Sequence, residues 1–98
     1  MKNVLLSNPH AGEILKYEFL DELNMSNDDL AKVIHVSNLI INKIINAETP
    51  VTAEIDLRLC RYFNLSDGYF LRLQNDYEIM EAKRTLGETL NNIIPLNQ

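Results

Sequence analysis

Cys60, His10 and His35 are the side chains of this 98-residue chain that could support nucleophilic or metal chemistry, and their spacing supports neither. A catalytic Ser or Cys needs a His brought against it, and both histidines lie far along the chain from Cys60, which falls between Leu59 and Arg61 in a helical pattern. A small buried hydrophobe is the expected role of that cysteine. Zinc takes Cys or His in close pairs, and no CxxC, HxxxH or HExxH occurs. Three isolated glycines cannot build a phosphate-cradling loop. No catalytic residue, metal ligand, cofactor or small-molecule substrate is expected, and the chain reads as a non-enzyme.

The spacing that does carry chemistry lies in residues 26–46. Ser26 and Ser37 each open a short helical pattern, with His35 and Val36 between the two. Two short helices joined by a turn of three or four residues form a helix-turn-helix, whose second helix is laid into the DNA major groove. Ala31 is small where the helices must approach. Leu30 and Ile34 precede the turn, Val36 follows it, and Ile41 and Ile44 pin the second helix from beneath. His35 stands where the turn needs a left-handed backbone, ordinarily given to Gly; His is among the residues that tolerate it. The opposite face of the second helix carries Ser37, Asn38, Leu39, Asn42 and Lys43, with Ile40 on its flank. Asn bonds adenine at two points, Lys reaches guanine or phosphate, and Leu39 or Ile40 meets thymine methyls. Asn27, opening the first helix of the pair, is placed to donate to a phosphate beside the helix N-terminus. A plain helical corner would show the same local pattern, so spacing alone leaves both readings open.

Around this unit the punctuation is helical throughout. Residues 12–23 place Ile14, Leu15, Phe19 and Leu23 on one stripe. Ser26 caps the next helix, with Asp28 and Asp29 where the helix dipole favours negative charge and Leu30, Val33 and Ile34 as its apolar side. Ser37 caps a third helix whose Ile41, Ile44 and Ile45 face the core. After Pro50, Thr52 caps a fourth with Ile55, Leu59, Tyr62 and Phe63, closed at Asn64. Ser66 opens a fifth with Phe70, Leu73, Tyr77 and Met80; Gly87 interrupts it and Pro95 stops it. LIINKII is β-prone by composition, yet its cap and isoleucine spacing favour helix. No run alternates as a half-buried strand does, so the fold is expected to be all-α.

Composition fits one small domain. A chain of this length buries one hydrophobic core, and 46% apolar with 23% charged residues is globular. Nine basic against fourteen acidic residues leave a net charge of −5 and an isoelectric point near 4.9. Such a chain is repelled on average by nucleic acid and anionic lipid. The acidity is uneven, however: residues 26–63 hold four basic and five acidic side chains and are nearly neutral. One cysteine makes no internal disulfide, which suits a reducing cytoplasm. The opening MKNVLLSNPH has too short an apolar run for a secretory signal, and no stretch of 18 apolar residues spans a membrane.

Two blocks then resemble the HigA-like antitoxins, small helix-turn-helix proteins of the Xre/Cro type encoded beside RelE-like toxins that cleave mRNA. The more specific runs over residues 52–79 and comprises Thr52, Leu57, Arg58, Leu59, Phe63, Ser66, Tyr69, Phe70, Leu71, Leu73, Gln74, Tyr77 and Glu78. GEILKYEFL, residues 12–20, is similar to the family's opening. The resemblance covers nearly the whole chain. It implies a five-helix, lambda-repressor-like helix-turn-helix domain over residues 12–78 and a C-terminal helix and tail over 79–98. It further implies an antitoxin that binds a basic toxin and, as a homodimer, represses its own operon on palindromic operator DNA.

The departures from the family fall on the DNA-reading surface. His35 replaces the usual turn glycine, Asn38 and Ile40 replace common basic residues, and Asn46, Ala47, Glu48 and Thr49 stand where Asn-Gly-Lys-Arg is frequent. Weak, strongly salt-sensitive binding with few phosphate contacts is therefore expected. A module that binds protein and has lost DNA is the competing expectation, suggested by Leu39 and Ile40 on an exposed face. The last amphipathic stretch, with Ile79, Met80, Leu86, Leu90, Ile93 and Ile94, packs either on its own domain or across a dimer.

Overall fold

The computed structural model describes residues 8–97, and every regular element among them is helical. A first turn, α1 (Ala11–Ile14), runs directly into a π-helical segment, Leu15–Leu20. There follow α2 (Asn27–Ile34), α3 (Asn38–Ile45), α4 (Ala53–Phe63), α5 (Tyr69–Leu86) and α6 (Glu88–Asn91). The expected all-α helix-turn-helix domain is present, with a short sixth helix set off by Gly87 at φ 50°. Residues 1–7, which hold most of the segment read as lacking a secretory signal, lie outside the described residues.

The caps act largely as their residue types dictate. Ser26, Ser37 and Thr52 accept the N–H three residues on, and Asp29 returns a bond to Ser26 to complete a capping box. His10 does the same for α1: its Nδ1 accepts the Gly12 and Glu13 N–H groups, at 3.0 and 3.3 Å, and Glu13 accepts the His10 N–H. Four helix ends share one device. Asn24, His35, Ala47 and Asn64 all have φ between 54° and 63°. In each case the next residue's N–H bonds a carbonyl five positions back, as in a Schellman motif.

The first helix departs from the uniform α-helix expected over residues 12–23. Asp21 donates to the carbonyl five residues back, Lys16, as a π-helix requires. This wider winding brings Leu15 and Leu20 toward one side, and both are fully buried. The chain turns after Leu20, which leaves Leu23 exposed instead of on the apolar stripe. Val33, Tyr62 and Met80 also lie exposed against expectation. Leu30, Ala31 and Ile34 make the buried side of α2, Ile55, Leu59 and Cys60 that of α4, and α5 buries only Phe70.

The core joins Leu15, Leu20, Leu30, Ile34, Ile41, Ile44, Ile55, Leu59, Cys60 and Phe70. Phe19 bridges elements at its edge, with ring centroids 4.9 Å from Phe63 and 5.3 Å from Phe70. Beyond Phe70 the long helix α5 contributes no fully buried side chain, and the molecule is drawn out to 51 × 32 × 22 Å. No described helix is long and apolar enough to cross a membrane.

Ser66 does not open α5. Gly68, at φ 89°, precedes it without a side-chain cap of its own. The cap comes instead from another helix: the carboxylate of Asp56, 1% exposed in α4, accepts the N–H groups of Gly68, Phe70 and Leu71. A buried charge is tolerated where hydrogen bonds replace its hydration, and three donors do so here.

Candidate nucleic-acid interface

The pair α2–α3 has the geometry its spacing predicts. Leu30, Ala31 and Ile34 are buried on α2, Ile41 and Ile44 on α3. His35 ends α2 in the left-handed region at φ 63°, ψ 48°, and Val36 N–H bonds Ala31 O at 3.0 Å to turn the chain. Ser37 then caps α3. Because residues 41 and 44 hold the helix from beneath, the other side of α3 is left to solvent: Leu39 is 57% and Ile40 40% exposed, and Asn38 is exposed beside them. Asn42 and Lys43 are half-buried.

Two hydrogen bonds tie this face to the start of α2. Asn27 Nδ2 donates to Asn42 Oδ1 at 2.7 Å, and Asn38 Nδ2 donates to Asp28 Oδ1 at 2.6 Å. The structure thus brings Asn27, Asn38 and Asn42 together, but as partners in fixed pairs and not as independent polar groups. Asn27, expected to donate to a phosphate, gives one amide hydrogen to Asn42 across the pair. Ser37 keeps its hydroxyl on the Ile40 N–H. Lys43 is the basic residue in the last turn of α3, and Glu48 lies exposed just after it.

Other elements set the orientation of the pair. Arg58 of α4 reaches the C-terminus of α2, donating to Ile34 O at 2.7 Å and His35 O at 3.3 Å, while Glu54 holds its guanidinium from the other side. These are carbonyls that the end of a helix leaves unpaired. Gly12 of α1 lies so close to the end of α3 that a β-carbon there would collide with the Ile44 carbonyl. Behind α3, the Gln74 side chain pairs with Val51 at both N–H and C=O, at 2.6 and 2.9 Å, and so fixes the loop between α3 and α4 to α5. Arg58 and Gln74 belong to the family-like block, yet their contacts, with the end of α2 and with the loop after α3, span 24 and 23 positions and leave no local signal in the sequence.

Cys60 is buried and free, and burial pushes its thiol above the ordinary value. Among the described residues no group of His, Cys, Asp and Glu is arranged to hold a metal ion.

Comparison with known proteins agrees with this geometry. A helix-turn-helix family profile matches residues 16–70. Virulence-associated protein I of Dichelobacter nodosus is 39% identical over 88 residues, which cover 90% of this chain and 81% of that protein. The Pseudomonas aeruginosa antitoxin HigA, solved with the higBA promoter, superposes with a TM-score of 0.83 at 34% identity, covering 93% of this chain and all of that one. Antitoxin GraA in complex with its operator has the same TM-score at 28% identity, covering 100% of this chain and 99% of the other. With its turn, buried underside and exposed outer face of α3 in place, the chain belongs to the helix-turn-helix family of HigA-type antitoxins.

Proposed function

We propose that the protein is an antitoxin that represses its own operon by laying α3 into the major groove of operator DNA as one half of a homodimer, and that it also holds a basic, RelE-like, mRNA-cleaving toxin. The observation that carries the reading is the outer face of α3: Ser37, Asn38, Leu39, Ile40, Asn42 and Lys43, joined by Asn27 from α2, on a helix anchored by Ile41 and Ile44. Its polar groups suit base edges, and Leu39 and Ile40 suit thymine methyls. Relatives of the same fold solved with promoter or operator DNA support DNA as the partner. Operator binding locates its work in the cytoplasm.

A palindrome read by two-fold symmetric protein requires two copies. The exposed Ile79, Met80, Leu86 and Leu90 on the projecting helices α5 and α6 supply an apolar surface for pairing. The net charge of −5 favours encounter with a basic partner. The second reading, a protein-binding module without DNA, draws on the exposure of Leu39 and Ile40.

A band-shift titration against DNA upstream of the gene, over a salt series, decides between them. Sequence-preferring binding that weakens steeply with salt is expected, and Ala at Asn42 and Lys43 weakens it further. Absence of such binding at low salt, with and without the toxin, removes the repressor reading. Copurification with the product of the neighbouring gene tests the toxin.

A further inference from the structure

Two carboxylates stand in the first turn of α2, and they are not equivalent. Asp29 completes the capping box with Ser26, so the helix end is already served. Asp28 faces elsewhere: its Oδ1 accepts the Asn38 amide at 2.6 Å, and its Oδ2 has no hydrogen bond among the described residues. Asn38 is the first residue of α3, and the N-terminal residues of a recognition helix are those that contact base edges. A negative charge at this point opposes the approach of phosphate. It is favourable only against a hydrogen-bond donor.

A carboxylate accepts and never donates. In the major groove the donors are the exocyclic amino groups, cytosine N4 and adenine N6, whereas guanine O6 and N7 and thymine O4 are acceptors that a carboxylate repels. Asn38 is held by this same carboxylate, and its amide oxygen also accepts. The two side chains therefore present acceptors side by side at the leading end of α3.

We propose that Asp28 and Asn38 form one specificity-determining unit, which selects at one position of each half-site a base carrying an exocyclic amino group and rejects guanine and thymine there. This rests on the operator-binding reading and deepens it: Asp28 becomes a reader of bases, where the first turn of a helix alone would make it a dipole partner.

The test is the full-length protein bound at fixed low salt to duplexes in which every operator position is varied in turn, compared with Asp28→Asn and Asn38→Ala. Wild type is expected to prefer cytosine or adenine over guanine and thymine at one half-site position by about 10-fold. Asp28→Asn, of the same shape but able to donate, loses that preference at that position alone. It also binds random-sequence DNA more tightly, because a charge repelling phosphate is gone. Asn38→Ala disturbs the same position. A base-preference profile unchanged by Asp28→Asn, or one lowered evenly at every position, overturns the proposal while leaving operator binding intact. Wild-type protein with no base preference at any position overturns both.

Discussion

Asp56 Oδ2 accepts the Gly68 N–H at 2.6 Å, so a helix begins at a carboxylate that belongs to a different helix. Its other oxygen accepts Phe70 and Leu71 at 2.9 and 3.1 Å and the Cys60 thiol at 3.6 Å. Asp56 thereby fixes where α5 starts relative to α4. Asp56→Ala strands three backbone donors in or beside the core and is expected to cost about 3 kcal/mol. Asp56→Asn keeps one acceptor oxygen but sets its amide NH2 against a backbone N–H on the other side, and is expected to cost about 2 kcal/mol. Urea unfolding of both variants measures the difference. A loss under about 0.5 kcal/mol for Asp56→Ala, the range of ordinary surface changes, would show that the cap is dispensable.

Arg58 is expected to affect DNA more than stability. It is partly exposed, and its ion pair with Glu54 is of the i,i+4 surface kind, so that pair contributes little. Its bonds to Ile34 O and His35 O, however, fasten the turn before the recognition helix to α4. Arg58→Ala should lower stability by about 1–2 kcal/mol and weaken operator binding even under conditions where the variant is fully folded. Arg58→Lys carries the charge, but a single ammonium cannot bond the two carbonyls as Nη1 does while Nε and Nη2 stay on Glu54, so the variant should recover only part of the affinity. Operator affinity of Arg58→Lys equal to wild type would mean that charge alone suffices.

These two residues mark the limit of what a single sequence makes legible. Ser26, Ser37, Thr52 and the left-handed His35 could be read because a cap or turn is specified within a few residues of itself. The turn spacing and the isoleucines beneath α3 follow from the helical period, which is equally local. Asp56, Arg58 and Gln74 act on elements 12 to 24 positions away, so their partners appear only once the helices are packed. The candidate site divides the same way. Its members could be listed from one helix face, but their pairing, Asn27 with Asn42 and Asn38 with Asp28, depends on the crossing of α2 over α3. The π winding over Leu15–Leu20 was hidden because a regular stripe of Leu15, Phe19 and Leu23 fits an ordinary α-helix equally well.

The four left-handed helix ends lead to a graded prediction. Ala47 at φ 61° has no polar side chain to offset the clash of its β-carbon, whereas Asn tolerates this region. Ala47→Gly relieves that strain against a smaller loss from the freer unfolded chain, a net gain of about 0.5–1 kcal/mol. Asn64→Gly should change stability by less than about 0.5 kcal/mol either way, and His35→Gly should fall between the two. Denaturation midpoints of the three variants test the order. Equal gains at all three would argue that side-chain identity at these ends is immaterial.

Cys60 links stability to alkaline pH. Burial raises its thiol above the ordinary value; the backbone N–H groups of Tyr69 and Phe70 offset part of this, and the neighbouring Asp56 carboxylate, which accepts its S–H, adds to it. A thiolate formed in place would lie unsolvated beside that carboxylate. The unfolded chain ionises first, so the stabilisation is complete below the unfolded value and is lost as pH rises through the folded one. Between pH 7 and 10 the wild type should therefore lose more unfolding free energy than Cys60→Ala, which cannot ionise there. The tyrosines titrate in both proteins, so the difference between the two slopes isolates the thiol. Ala begins lower, by about 1 kcal/mol for the space it leaves, and the gap should narrow as pH rises. The same burial predicts that thiol reagents modify the folded protein far more slowly than the urea-unfolded chain. Parallel pH profiles with fast native labelling would place Cys60 at the surface, contrary to its position in the core.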